Sequence, residues 1–288
     1  MSTDSSVMTA QRKVAIQGVK GAYHEIAARQ FFGADIELAM CDSFPELFRS
    51  MDEQEADCGV MAIENTVAGT ILPNYALLRN SSYTVVGEVF LRIEHQLMAL
   101  PGQSIMDIQE VHSHPMAILQ CHEFFKAYPH IKLIESVDTA ASAAMIQETQ
   151  AFGTAAIASK LAAEHYELEI LASSIEDNKR NFTRFLILLN KISAKNFTKG
   201  HKPNKASLCF NLKHEVGQLS QILLVLSSHG MNLSKIQSLP IVGKEWTYFF
   251  HLDLVFDHQA QYKRALSAIR PLVKELKVLG EYERAPKI

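Results

Sequence analysis

The chain has 288 residues, about two domains at roughly 150 residues each, with apolar (48%) and charged (20%) fractions of ordinary globular usage. Twenty-eight Lys and Arg face 31 Asp and Glu, a net charge of −3 without a long block of one sign. That excludes the basic stripe of a nucleic-acid or anionic-membrane binder, and no apolar run reaches the roughly 18 residues that span a bilayer.

Met1–Gln11 is polar and lacks a charged head followed by an apolar stretch, so it reads as a disordered tail and not as a secretion signal. Cys41, Cys58, Cys121 and Cys209 stand far apart without a Cys-x-x-Cys pair. They are expected to be reduced, and the protein cytoplasmic.

From Lys13 short apolar runs alternate with helical stretches. Strands are expected at Val14–Gln17, Asp35–Met40 and Cys58–Ile63, with helices at Gly21–Phe32, Phe44–Met51 and Leu72–Arg79. Tyr83–Leu100 is too long for one flat strand and should bend near Gly87 or His95. Further strands follow at Val111–Ser113, Ile131–Ser136, Thr154–Ala158, Leu168–Ala172 and Asn181–Leu189. Between them lie helices at Pro115–Ala127, with proline in its first turn, and from a cap at Asp138 or Thr139 to Thr149. The alternation implies parallel strands covered by helices, in two similar α/β lobes with crossovers near residues 90–100 and 175–185.

Residues 193–204 are polar and basic, with a Gly and a Pro, and read as a linker. Beyond it the elements run Ala206–Leu212 (strand), Leu219–Ser228 (helix), Asn232–Leu239 and Trp246–Phe256 (strands), Gln259–Leu276 (helix) and Val278–Glu283 (strand). This βαββαβ order over residues 205–288 is the ferredoxin-like plan.

Ligands of open α/β lobes bind beyond the carboxyl ends of parallel strands. The polar strand-to-helix loops are Gly18–Gly21, Glu64-Asn65-Thr66, Ser113-His114 and Asp138-Thr139, which either meet an anion or merely cap their helices. Gly18-x-x-Gly21 lacks the spacing of a nucleotide loop. His112, His114, Cys121 and His122 form no four-ligand metal pattern, so cofactor-free chemistry without a metal is expected. The anomaly is Asn181-Phe182-Thr183-Arg184-Phe185, where an arginine opens an apolar strand. Once buried it needs an anionic partner, for which a carboxylate suits its planar fork; otherwise it snorkels at the strand end.

These residues carry a resemblance. From Val14 onward the chain resembles a monofunctional prephenate dehydratase with a C-terminal ACT domain. The matching segments are G-V-K-G-A-Y near the start, Gly59–Thr70 (GVMAIENTVAGT), Gly87–His95, Ser113–Cys121 and Asp177–Phe185 (DNKRNFTRF). Two places depart from the family pattern. Gly18-Val19-Lys20-Gly21-Ala22 loses a proline and a hydroxyl, and Gln237-Ser238-Leu239-Pro240 replaces E-S-R-P, while Gly217-Gln218-Leu219 stands for G-A-L.

The resemblance implies a periplasmic-binding-protein-like catalytic domain over residues 12–192 that converts prephenate to phenylpyruvate. It marks Thr183 as catalytic, with Asn65 and Gln120 assisting. Arg184, Glu64, Thr66, Ser113, His114 and Gly21 would hold the dicarboxylate, and Phe182 and Phe185 would supply apolar walls. Phenylalanine is the implied effector, held by Gly217, Gln218, Leu219, Asn232, Leu233 and Ser238 in a homodimer or homotetramer; the alternative is a purely dimerising module. Arogenate dehydratase and a non-catalytic two-lobed amino-acid sensor are the rival readings.

Overall fold

Short β-branched runs and capped amphipathic stretches build a mixed α/β structure. The computed structural model describes residues 11–212, 215–241, 243 and 247–286; the expected tail before Gln11 and the strand start at Trp246 lie outside them. The first elements are β1 (Arg12–Gln17), α1 (Tyr23–Phe32), β2 (Ile36–Cys41), α2 (Phe44–Asp52), β3 (Cys58–Asn65), β4 (Gly69–Thr70) and α3 (Leu72–Asn80). Then come β5 (Thr84–Arg92), β6 (Gln96–Ala99), β7 (Glu110–Ser113), α4 (Pro115–Gln120), α5 (His122–Phe125), β8 (Lys132–Glu135) and α6 (Thr139–Thr149). The middle closes with β9 (Thr154–Ala158), α7 (Lys160–His165), β10 (Glu169–Ala172), β11 (Phe182–Leu189) and α8 (Lys191–Phe197). The last part is β12 (Lys205–Asn211), α9 (Gln218–Ser228), β13 (Asn232–Pro240), β14 (Tyr248–Val255), α10 (Gln259–Ile269) and β15 (Lys274–Tyr282).

The chain forms two compact units: Met1–Val60, Thr66–Ala68 and Leu91–Phe182 make the first, and Met61–Asn65, Gly69–Phe90 and Thr183–Ile288 the second. In the first, β1 pairs in parallel with β2 and with the opening residues of β3. A separate sheet has the order β10-β6-β9-β7-β8. Here the expectation of parallel strands fails at β6, which runs antiparallel to both β9 and β10. It enters this sheet from β5, a strand of the other sheet, with only Ile93–His95 between them. The long run Tyr83–Leu100 thus bends at its His95 end.

The expected cap at Asp138 is observed: it accepts from Ala141 N at 2.9 Å to open α6, and Ser43 and Ser159 cap α2 and α7 in the same way. Two helices are shorter than expected. The helix placed at Pro115–Ala127 breaks at Cys121 into α4 and α5. The helix placed at Gln259–Leu276 ends at Ile269, because Pro271 lacks the N–H that another turn would use, and the chain re-emerges as β15 from Lys274. Residues 193–197, read as the start of the linker, belong instead to the helix α8, which Asn190 caps.

In the second unit β3, β11 and β5 lie side by side in that order, and β12 to β15 form a separate antiparallel sheet, β13-β14-β12-β15. The elements β12-α9-β13-β14-α10-β15 follow the expected βαββαβ order. Their core is Leu208, Phe210, Ile222, Leu226, Leu252 and Tyr262 with their neighbours.

What fastens β12–β15 to β3, β5 and β11 is ionic. Arg184 on β11 is 3% exposed. It donates through Nε to Glu88 on β5 at 2.8 Å, through Nη1 to Glu64 on β3 at 3.2 Å and to Asp253 on β14, and through Nη2 to Tyr282 on β15 at 3.0 Å. Lys205 on β12 donates to both oxygens of Glu88, at 3.0 and 2.8 Å, and Lys235 on β13 to Glu64 and Thr70. Three cations therefore face three carboxylates. Burial by itself would raise the Asp253 pKa, but Arg184 and Lys205 outweigh it and hold the carboxyl below the usual range. Burial, with Arg184 as a like charge, pulls Lys205 down. Beside this cluster Gly280 on β15 lies so close to β5 that a Cβ would stand 2.0 Å from the Val85 carbonyl oxygen.

Two stability predictions follow from this packing. Gly280→Ala overpacks a contact with backbone on its far side and should lower stability by about 1–3 kcal/mol, read as a lower Tm; an unchanged Tm would contradict the close approach. Arg184→Met leaves Glu88 and Asp253 buried without their guanidinium and should cost about 3–5 kcal/mol in urea unfolding. A carboxyl whose folded pKa is depressed stabilises above its ordinary range and loses that contribution as pH falls through the folded value. Without the guanidinium the Asp253 carboxyl of the variant protonates earlier, so the gap between wild type and Arg184→Met should narrow below about pH 4.

Candidate active site

Each unit carries a polar group at the chain segments singled out in the sequence. In the second unit β3 ends on Asn65 and β11 presents Thr183, which is 8% exposed. Asn65 Nδ2 donates to Thr183 Oγ1 at 2.9 Å. An amide N–H that fills a lone pair on the hydroxyl oxygen leaves the Thr183 hydrogen to be donated elsewhere.

In the first unit Thr66 accepts through Oγ1 from Phe182 N and donates to the Arg180 carbonyl, both at 2.9 Å, while its own N–H reaches the Phe182 carbonyl at 2.9 Å. It secures the chain just before Thr183. The same unit holds a buried chain of neutral groups. Tyr23, the first residue of α1, places its hydroxyl 2.9 Å from His95 Nδ1 and 2.8 Å from the Glu94 carbonyl. His95 Nε2 lies 3.0 Å from Gln120 Oε1, which also accepts from Asn181 Nδ2 at 2.9 Å. Because that oxygen can only accept, Nε2 of His95 carries the proton. Burial lowers the His95 pKa, and burial followed by the nearby Cys121 thiol and Glu176 raises that of Tyr23, so both groups are neutral near pH 7. The His95 backbone N–H donates to the buried Glu176 carboxylate at 2.9 Å.

The remaining expected contacts have structural duties. Arg184, expected to take a substrate carboxylate, is buried with each of its three nitrogens donating to an acceptor of its own unit. Its anionic partners are intramolecular because the low dielectric there demands them next to the charge. Glu64 serves the same cluster. Gly21 has φ +84°, and a Cβ there would stand 2.5 Å from Ala162 Cα, so its role is close packing. Ser113 is fully buried and donates to the Ile157 carbonyl at 2.6 Å, and Phe185 is core at 1% exposure. His114 caps α4 by accepting from Met116 N at 3.2 Å, and Phe182 is half-buried. Tyr23, His95 and Asn181 lay inside the matched segments yet drew no role from the sequence. The available signal was a polar side chain ending an otherwise apolar run.

The residues expected to hold an effector do not all meet within one chain. Asn232 and Lys205 both pair with Val255, whereas Gly217 opens α9 beyond Asn211, at the other end of the strands. Ser238 lies at the Gly217 end, opposite Phe250. Six residues of strand separate Asn232 from Ser238, about 20 Å. Gly217, Gln218 and Leu219 are therefore parted from Asn232 and Leu233 by the length of the sheet.

No helix among the described residues is long and apolar enough to cross a membrane, and none of their His, Cys, Asp and Glu side chains group by three or more as metal ligands. All four cysteines are free and buried. Burial drives the thiols of Cys41 and Cys209 up to about 11.

Residues 14–193 match the family model described as prephenate dehydratase. A bifunctional chorismate mutase/prephenate dehydratase of Aquifex aeolicus is 34% identical over 275 residues, spanning 95% of this chain and 74% of that protein. Arogenate dehydratase 2 of Petunia hybrida is 35% identical over 288 residues, 94% of this chain and 71% of that one. Among solved structures, GqqA, titled a novel type of quorum quenching acylase, superposes with a TM-score of 0.84 at 29% identity, covering 96% of this chain and 99% of its own. The prephenate dehydratase of Arthrobacter aurescens in complex with L-Phe follows at 0.83 and 26%, covering 96% and 92%. With the family model matching well over half its length and relatives at this identity matching nearly all of it, the chain belongs to the prephenate dehydratase family.

Proposed function

We propose that this protein converts prephenate to phenylpyruvate, and the observation that carries the reading is the Asn65–Thr183 hydrogen bond. In the reaction the bond between the ring and its carboxylate breaks and the carboxylate group leaves as CO₂. Its electron pair completes the aromatic ring, the C4–O bond breaks, and the hydroxyl departs as water after gaining one proton. The protein must orient a dianion and supply a donor at the hydroxyl. Held from behind by Asn65, the Thr183 O–H is aimed to donate at that oxygen; as a weak acid it acts as a positioned donor or relay. The same geometry speaks against acyl transfer by Thr183, since a carboxamide cannot accept the proton that an attacking hydroxyl must lose.

In this reading residues 12–192 form the catalytic region of two lobes, 193–204 the connection and 205–288 an ACT-type regulatory region. A cytoplasmic setting is part of this reading. The Arthrobacter relative was solved with L-Phe, which supports phenylalanine as effector here. Because Gly217–Leu219 and Asn232–Leu233 stand at opposite ends of one sheet, a site using both takes one stretch from each of two chains. The edge strand β13 offers a surface for such side-by-side pairing in a homodimer or homotetramer. Arogenate, with an amino group where prephenate has a keto group, is the second reading, favoured by the 35% identical Petunia relative.

Purified protein should produce the phenylpyruvate enolate absorbance from prephenate, and a parallel assay with arogenate decides between the two acids; inertness toward both overturns the reading. Thr183→Ala should lose at least about a hundredfold in kcat while keeping its Tm, and a near-normal kcat would require another donor. Phenylalanine should slow the full chain by favouring a less active state, and Asn232→Ala should raise the concentration needed for half inhibition. Absence of both inhibition and calorimetric binding would make residues 205–288 a scaffold.

A further inference from the structure

We propose that Lys235 is a positioning residue for the reaction: from β13 it fixes the pairing of β3 with β4 and so keeps Asn65 aimed at Thr183. The inference rests on the dehydratase reading above. It starts from a break in strand register. At the start of β13, Asn232 stands opposite Val255 and Leu233 opposite Leu254. In an unbroken ladder Lys235 would face Leu252, which lies in the core formed with α9 and α10, a costly place for an ammonium. Instead the register shifts between Leu233 and Lys235, and Lys235 stands opposite Asp253. Ser234 is thus the extra residue of a β-bulge, a device that re-aims side chains. Its hydroxyl donates to the Asp253 carbonyl oxygen at 3.3 Å. Cross-strand partners share a face, so the bulge moves Lys235 from the helix-covered face of the sheet to the ionic one.

There Lys235 does more than balance charge. Its ammonium donates to Glu64 Oε2 at 2.5 Å and to Thr70 Oγ1 at 2.8 Å. Glu64 and Thr70 stand opposite each other in the antiparallel pairing of β3 with β4, and the next pair is Asn65 with Gly69. With only two residues, β4 gains little hold from its own ladder. One cation that grips both members of a pair staples it from outside. Asn65 follows directly on Glu64, so the staple also sets where its Nδ2 stands, 2.9 Å from Thr183 Oγ1. The other oxygen of Glu64, Oε1, accepts from Arg184 Nη1 at 3.2 Å, and Arg184 follows directly on Thr183. Two cations on one carboxylate therefore hold the two strands whose adjoining residues are the amide and the hydroxyl. Displacing such a pair by about 1 Å can slow a reaction on the order of a hundredfold.

The test compares full-length variants. Lys235→Met keeps a long side chain without the charge, and Glu64 retains Arg184, so the variant should fold, which a thermal melt checks. It should lose on the order of tenfold in kcat with a smaller change in KM. Action through Asn65 is read from a double-mutant cycle. Asn65→Ala should itself lower kcat, and adding Lys235→Met to it should cost nothing more, because no amide is left to aim. A wild-type kcat in either single variant overturns the proposal, and so does a loss in Lys235→Met carried mainly by KM. An undiminished second loss in the Asn65→Ala background also overturns it, since the lysine would then act elsewhere. Should Lys235→Met not fold, Thr70→Val, which removes one anchor of the staple, takes its place in the same cycle. If wild type turns over neither prephenate nor arogenate, the dehydratase reading falls and the positioning is judged by the side-chain amide NMR signals of Asn65, identified by their loss in Asn65→Ala. Those signals should move in Lys235→Met; signals that stay at their wild-type positions overturn the staple.

Discussion

A guanidinium taken out of water must find its counter-charges within reach, and much of the second unit is arranged around that demand. Arg184 gathers carboxylates from β3, β5 and β14 and a phenol from β15, and Lys205 and Lys235 balance the charge. Such a cluster is weak evidence of net stability, since desolvation offsets much of the attraction, but removing one member leaves the others uncompensated. What it provides is registry. The sheet of β12 to β15 can meet β3, β5 and β11 in only one way without stranding a charge.

The registry reaches the proposed chemistry through strand alternation. Successive side chains point to opposite faces, so Glu64 and Arg184 turn toward the ionic cluster while their neighbours Asn65 and Thr183 turn away from it and meet each other. A charged face fixed by the cluster thus sets the positions of an amide and a hydroxyl on the opposite face. The motif that drew attention to Arg184 as a ligand for substrate holds, in the structure, a brace behind the residue beside it.

The first unit uses neutral groups for its polar cluster. Tyr23, His95, Gln120 and Asn181 are linked donor to acceptor, and burial keeps both His95 and Tyr23 uncharged near pH 7. Neutral partners avoid the desolvation cost of ions and specify direction, since each N–H and O–H has one sense. The two units illustrate different solutions to one requirement, a polar side chain held in a single orientation below the surface.

By itself the amino-acid order determined what depends on neighbours along the chain. Apolar period, caps such as Asp138 and the βαββαβ order were legible because they are local, and five matched segments carried the family. Pro271 was a legible stop that a reading by apolar pattern passed over. Tertiary structure alone decided which groups meet. Arg184 finds Glu88 96 positions away and Glu64 120 positions away, Gln120 is clamped by residues 25 and 61 positions distant, and β6 runs against β9. Gly21 likewise has its reason in Ala162, far along the chain. Periodicity records which face of an element is buried, but the partner across the interface is chosen by how the faces pack, and charge, donor direction and close backbone approach take effect only once they do.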